Sequence, residues 1–144
     1  MSQEQSKQVV RSMVEALNAR QFDVLAGIAS PNLVYTQNGN TGDWNKWLQD
    51  FRNCVVSFPD VRLTIKAQET SDDQVVTELV ISGTHLGPLG EIAPTGKTFN
   101  VDIHLICHVK GGIIVDWVEQ VDEMSMARQL GLIPNEVTDT IANR

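Results

Sequence analysis

After Pro59 the apolar residues stop recurring every third or fourth position and begin to alternate. VRLTIKAQET, QVVTELVISGTHLG, TFNVDIHLICHVK and IIVDWVEQVD each carry an apolar side chain at about every second position. That is the period at which a strand shows one face to a core. Gly111–Gly112 marks a tight hairpin between the last two runs, because glycine tolerates the positive φ angles such turns need. Upstream the period is helical. Val9, Val10, Met13, Val14 and Leu17 share one stripe, and FDVLAGIA reads as a short helix with Asp23 near its start and Pro31 beyond its end. NLVYTQ reads as a short strand and NGNTGD as a turn-rich loop. Trp44, Trp47, Leu48, Phe51, Val55 and Val56 mark a third helix, capped by Thr41 or Asp43 and ended at SFPD. A last helix is expected from about Glu123 to Leu130, closed by Gly131.

Helices followed by a meander predict an α+β domain: a curved antiparallel sheet wrapped by the N-terminal helices into a cone with a single mouth. Such a cone suits a small apolar or aromatic ligand. One domain over 1–144 is expected, with a core at about 7–132 and a polar tail at 133–144. The net charge of −7, with no Lys/Arg cluster, argues against nucleic acid and anionic membrane surfaces as partners. No secretory-type leader and no membrane-spanning apolar run is legible, and Cys54 and Cys107 fall in periodic segments, so both read as reduced thiols of a cytoplasmic protein.

Alternation puts Val75, Thr77, Leu79, Ile81, Gly83 and His85 on one face, which predicts contact with the helices and places His85 at the end of an apolar stripe. HLICH has the look of a metal motif, but in a strand its two histidines stand roughly 13 Å apart at ~3.3 Å per residue. They cannot share a zinc ion with ligand bonds of about 2 Å, so no metal is expected. The hairpin register decides the surroundings of Asp122. A two-residue Gly111–Gly112 turn pairs Lys110 with Ile113 and places Asp122 with Val118, Val101, Ile103 and Leu105 on a mostly apolar surface. A three-residue loop slips the pairing by one and puts Asp122 with His104 and His108. The glycine pair favours the first. Asp122 also precedes EMSMARQL, where an aspartate can simply cap a helix.

Taken together, FPDVRL, SGTHLGPLGEIAPTGK, the GGIIVDW hairpin and Asp122 seven residues before QLG resemble the SnoaL-like polyketide cyclase family over roughly residues 7 to 132. The resemblance implies a cystatin-like α+β cone assembled into dimers or tetramers. It also implies an acid–base mechanism without cofactors, in which an aspartate at the position of Asp122 removes a proton α to a carbonyl and the carbanion closes a ring by aldol condensation. The chain departs from the family pattern at Gly111, Gly112 and Ile113, where Asp-Gly-Lys is usual. It departs again at His108, where arginine is usual, and at Trp117, which stands one residue early. These departures bear on the substrate and leave the fold expectation intact.

On this reading Asp122 is the base, its pKa raised by burial. His85 is the first choice of donor to the substrate carbonyl, and His108 is a further candidate. Met13, Leu17, Trp47 and Phe51 would line one wall of the pocket, facing Leu79, Ile103, Leu105 and Val118 on the sheet. Trp117, with Val115 and Val121, would form an apolar strip on the opposite face for a homodimer. The rival reading is a non-catalytic small-molecule-binding module of the same shape, with Asp122 only a cap. The orientation of the Asp122 carboxylate separates the two.

Overall fold

The computed structural model describes residues 2–133; the expected polar tail from residue 134 onward lies outside the described residues. Its elements are α1 (Gln3–Asn18), α2 (Phe22–Leu25), β1 (Ala29–Gln37), β2 (Asn40–Asp43), α3 (Trp44–Ser57), β3 (Arg62–Ser71), β4 (Gln74–Thr84), β5 (Thr98–Lys110), β6 (Ile113–Val121) and α4 (Glu123–Gln129). The six strands form one curved, unclosed sheet in the order β2-β1-β6-β5-β4-β3.

Helix α1 opens with a capping box in which Ser2 accepts from the Gln5 backbone and the Gln5 side chain accepts in return from that of Ser2. Its stripe of Val10, Met13, Val14 and Leu17 is buried against the sheet, where α1 packs chiefly on β3. Asn18 staples the end of α1 to β3 by giving Nδ2–H to Leu63 O (2.9 Å) and accepting Leu63 N–H at Oδ1 (2.8 Å). Helix α3 is capped by Asp43, whose Oδ1 accepts from Lys46 N–H at 2.8 Å. It turns Trp44, Trp47 and Phe51 inward.

Four features differ from expectation, three of them in the first half of the chain. The sheet is mixed, because β1 runs parallel to β6 while every other pairing is antiparallel. The predicted turn around NGNTGD contributes a strand of its own, β2, paired back on β1 through a turn at Asn38 and Gly39, both at positive φ. Helix α2 is a single turn, and the segment behind it, Pro31 included, is already strand.

The difference that matters most lies in β6. The Gly111–Gly112 turn is as expected, with Lys110 opposite Ile113 and Val109 opposite Ile114. One residue later the register shifts: His108 faces Asp116, Cys107 faces Trp117 and Leu105 faces Glu119. Val115 is the extra residue of a β-bulge. Asp116 closes the bulge, its Oδ1 accepting from the His108 backbone N–H (3.1 Å) and meeting the ring Nδ1 of the same residue (2.7 Å). Beyond Val115 every side chain of β6 therefore sits on the face opposite to the one a clean ladder would give it.

Candidate active site

The bulge turns Trp117, Glu119 and Val121 toward the helices and sends Val118, Gln120 and Asp122 outward. Trp117 is 3 % exposed and Glu119 is 5 % exposed, whereas Val118 is 40 % exposed. Both the expected apolar surroundings of Asp122 and the expected outward strip around Trp117 are thereby corrected.

Asp122 is exposed and caps α4, its Oδ1 accepting from Ser125 N–H at 2.9 Å. It borders an open groove on the outer face with Asn38, Glu78, Asp102, His104, Gln120 and Val121. His108 is held by Asp116 and is half exposed on that same face. His85 is fully buried at the end of β4. Its Nδ1 accepts from the Thr95 backbone N–H (3.2 Å), which leaves the ring proton on Nε2, and its ring packs on Phe58. The structure does not bring these three residues together, and none of them lines the half-open cavity described next.

That cavity, of about 550 Å³, lies between α3, the inner face of the sheet and α4. The volume is in the range of small-molecule sites. Of the expected pocket residues, Trp47, Phe51, Leu79 and Ile103 line it. Met13, Leu17 and Leu105 are instead fully buried core, and Val118 is on the outer face. The aromatic wall is continuous. Trp47 stacks on Phe51 (centroids 5.5 Å, 7° between planes) and on Trp44 (5.2 Å), and it meets Trp117 at 5.0 Å.

Set in this wall is Glu119, a carboxylate that sequence reasoning missed. Its Oε1 accepts from the Trp47 indole N–H (3.1 Å) and the Gln37 amide (3.2 Å). Its Oε2 has no partner among the described residues and is not sealed off, so one oxygen is clamped and the other is left to the cavity. Burial pushes the Glu119 pKa above the usual carboxylate range; the hydrogen bonds from Trp47 and Gln37 and the nearby Trp117 N–H oppose the rise, and the Glu123 charge adds to it. The Trp117 Nε1 is itself sealed from the cavity, with no partner within hydrogen-bond reach among the described residues. Cys54 also lines the cavity, but burial pushes its thiol up to about 11, which keeps it neutral and a poor nucleophile.

One sequence signal could have located this group. Read by strict alternation, Ile113, Val115, Trp117 and Val121 fall in the more apolar of the two rows of the last strand, and Glu119 is the one acid among them. A charged group on an apolar stripe is either outside or functional.

The comparisons agree with this architecture. The family model described as SnoaL-like polyketide cyclase matches residues 7–130. No curated relative matches the sequence. Among solved structures, the chain is similar to IdmH from Streptomyces antibioticus at 25% identity, over 88% of this chain and 98% of that one, with a TM-score of 0.81. AclR from Streptomyces galilaeus matches at 21% identity, over 92% and 100% of the two chains, with a TM-score of 0.84. A SnoaL-like polyketide cyclase from Agrobacterium tumefaciens matches at 17% identity, over 88% and 98%, with a TM-score of 0.71.

Proposed function

The chain belongs to the SnoaL-like polyketide cyclase family, and on that premise we propose that it is an acid–base enzyme of cyclase or isomerase type that needs no cofactor. Glu119 is the base. Its Oε2 takes a proton α to the carbonyl of a small apolar, polyketide-like substrate, and the electron pair of the broken C–H bond moves onto the carbonyl oxygen. The carbanion so formed then attacks a second carbonyl of the folded substrate in an aldol-type ring closure. The observation that carries this reading is a buried carboxylate with one oxygen clamped and the other without a partner among the described residues, in an aromatic-walled cavity. Desolvation makes that carboxylate a stronger base than one in water, and the aromatic walls hold the reacting carbons together. IdmH is described as a proposed polyketide cyclase, which supports the reaction type. AclR is described as a proposed hydroxylase, so the fold alone does not decide the chemistry.

5-Nitrobenzisoxazole tests the base directly. Loss of its C3 proton to a carboxylate breaks the N–O bond and releases a coloured cyanonitrophenolate, with no assumption about the natural substrate. Turnover inhibited by Glu119→Gln is expected, and a wild-type protein that leaves the probe intact would refute the reading. Asp122→Asn is expected to keep the wild-type rate within about 2-fold, since asparagine caps a helix as well as aspartate does. A large loss in Asp122→Asn would return the chemistry to the outer groove. The second reading, a non-catalytic binding module, is favoured by the commitment of Asp122 to capping α4. It predicts that the probe binds and is never turned over.

The homodimer belongs to the same proposal, with its contact moved. Trp117 is inside, and the apolar row left outward runs across the sheet through Val76, Ile106 and Val118, with Val34 54 % exposed beside it. Val118→Lys is expected to convert a dimer to a monomer in light scattering. An unchanged mass would place the contact elsewhere.

A further inference from the structure

We infer that the cavity selects a carbonyl compound carrying a protonated amine, the ammonium seated at the mouth against Glu123 and Asp50 with the reacting carbon below it at Glu119. The inference rests on the reading of Glu119 as the base and adds one charged group to its otherwise apolar substrate.

The charges that line the cavity are of one sign. Among the described residues its ionisable groups are Asp50, Glu119, Glu123 and the neutral thiol of Cys54, with no lysine, arginine or histidine. Glu119 lies at depth, 5 % exposed. Asp50 and Glu123 are exposed members of the same lining, so they stand at its mouth. They reach it from different elements, Asp50 from α3 and Glu123 from the first turn of α4.

No nearby cation cancels this charge. Lys46 and the Tyr35 hydroxyl both bond Asp50 Oδ2, at 2.8 Å and 3.4 Å, which leaves Oδ1 without a partner among the described residues. Glu123 has no ion pair among them. Arg20 gives its guanidinium to the carbonyls of Leu17, Asn18, Pro59 and Val61 and does not line the cavity.

An acidic rim alone is only a solvated surface. What makes this one a seat for a ligand is Glu119, whose buried carboxylate keeps Oε2 unpartnered and open to the same cavity. Buried charges are normally paired, and here the paired charge must come from the ligand. The Glu123 charge is already felt at Glu119. A cation between them relieves that repulsion, whereas a carboxylate or phosphate would add to it. Once the α proton has moved to Oε2, the same cation faces the enolate. Trp47, Phe51 and Ile103 take the apolar body.

1-Naphthylmethylammonium, 1-naphthalenemethanol and 1-naphthoate share one ring system and differ in charge. In calorimetry at neutral pH the ammonium is expected to bind wild-type protein about 10-fold tighter than the alcohol, a modest Coulomb gain at a half-open mouth. The naphthoate should bind weakest, and added salt should weaken the ammonium alone. The ammonium should also compete with 5-nitrobenzisoxazole. Glu123→Gln should cut the preference for ammonium at least about 3-fold while the alcohol, which reports the fold, binds as before. Equal binding of ammonium and alcohol, or tighter binding of the naphthoate, overturns the inference on the wild type alone. So does a preference that survives both Glu123→Gln and Asp50→Asn, or one that is lost in Asp122→Asn, which would place the amine in the outer groove. Such a failure beside an inactive Glu119→Gln sinks this inference alone. An active Glu119→Gln with the preference intact removes the base and leaves a cavity that binds amines.

Discussion

Glu119→Gln is expected to lower proton abstraction from 5-nitrobenzisoxazole by roughly 10²- to 10⁴-fold, the usual contribution of a positioned general base. The substitution changes little else. A glutamine Oε1 can still accept from Trp47 and Gln37, the two donors that hold Glu119 now. The wild-type rate should rise with pH, with its half-point above the ordinary carboxylate range because the folded pKa is raised, first of all by burial. The same shift has a stability consequence of opposite sense. A carboxyl whose folded pKa exceeds its unfolded value of ~4.3 binds more protons folded than unfolded between the two values. Stability is therefore lost as pH rises through that window. Glu119→Gln does not titrate, so it should gain on the wild type in urea denaturation from pH 4 to pH 7. A variant that loses ground at pH 7 would mean that the ionised carboxylate stabilises the fold and is not held at a cost for chemistry.

Much of the fold was legible because most elements carry their own period. The inner face of β4, Val75, Thr77, Leu79, Ile81, Gly83 and His85, is buried as alternation predicts, and the aromatic side of α3 follows from the spacing of Trp44, Trp47 and Phe51. What was not legible is non-local. Nothing in ASPNLVYTQ states that its partner is β6, or that the pairing is parallel. The Val115 bulge was hidden for a related reason. The glycine turn correctly predicts the first two pairs of the hairpin, but the slip that follows is set by Asp116 satisfying His108 across the ladder. A single extra residue was enough to exchange Asp122 for Glu119 as the inward acid and Val118 for Trp117 as the inward apolar group. The inward acid was thus misplaced by a one-residue slip of register on one strand, while Trp47, Phe51, Leu79 and Ile103 do line the cavity. His85 was correctly placed at the end of a buried stripe, but Thr95 engages its Nδ1, a contact across the loop that alternation does not encode.

Leu105→Ala separates core from cavity where the sequence could not. Leu105 was expected to face a ligand, because it alternates with Ile103 on the inner side of β5. It is fully buried, with Thr77 on one neighbouring strand and Glu119 on the other, and it does not line the cavity, whereas Ile103 does. Truncating a leucine in that position removes contacts on every side and leaves a void, which typically costs about 2–5 kcal/mol. Against the ~5–15 kcal/mol by which domains of this size are stable, that is among the largest losses a single substitution here should cause, and chemical denaturation would register it as a lower midpoint. KM for the probe should hardly move in whatever fraction stays folded. If Leu105 faced the ligand instead, its truncation would enlarge an already open space, so stability would suffer less and the KM would change. A stable Leu105→Ala protein with altered KM would therefore place the cavity floor two residues further along β5, opposite Glu119.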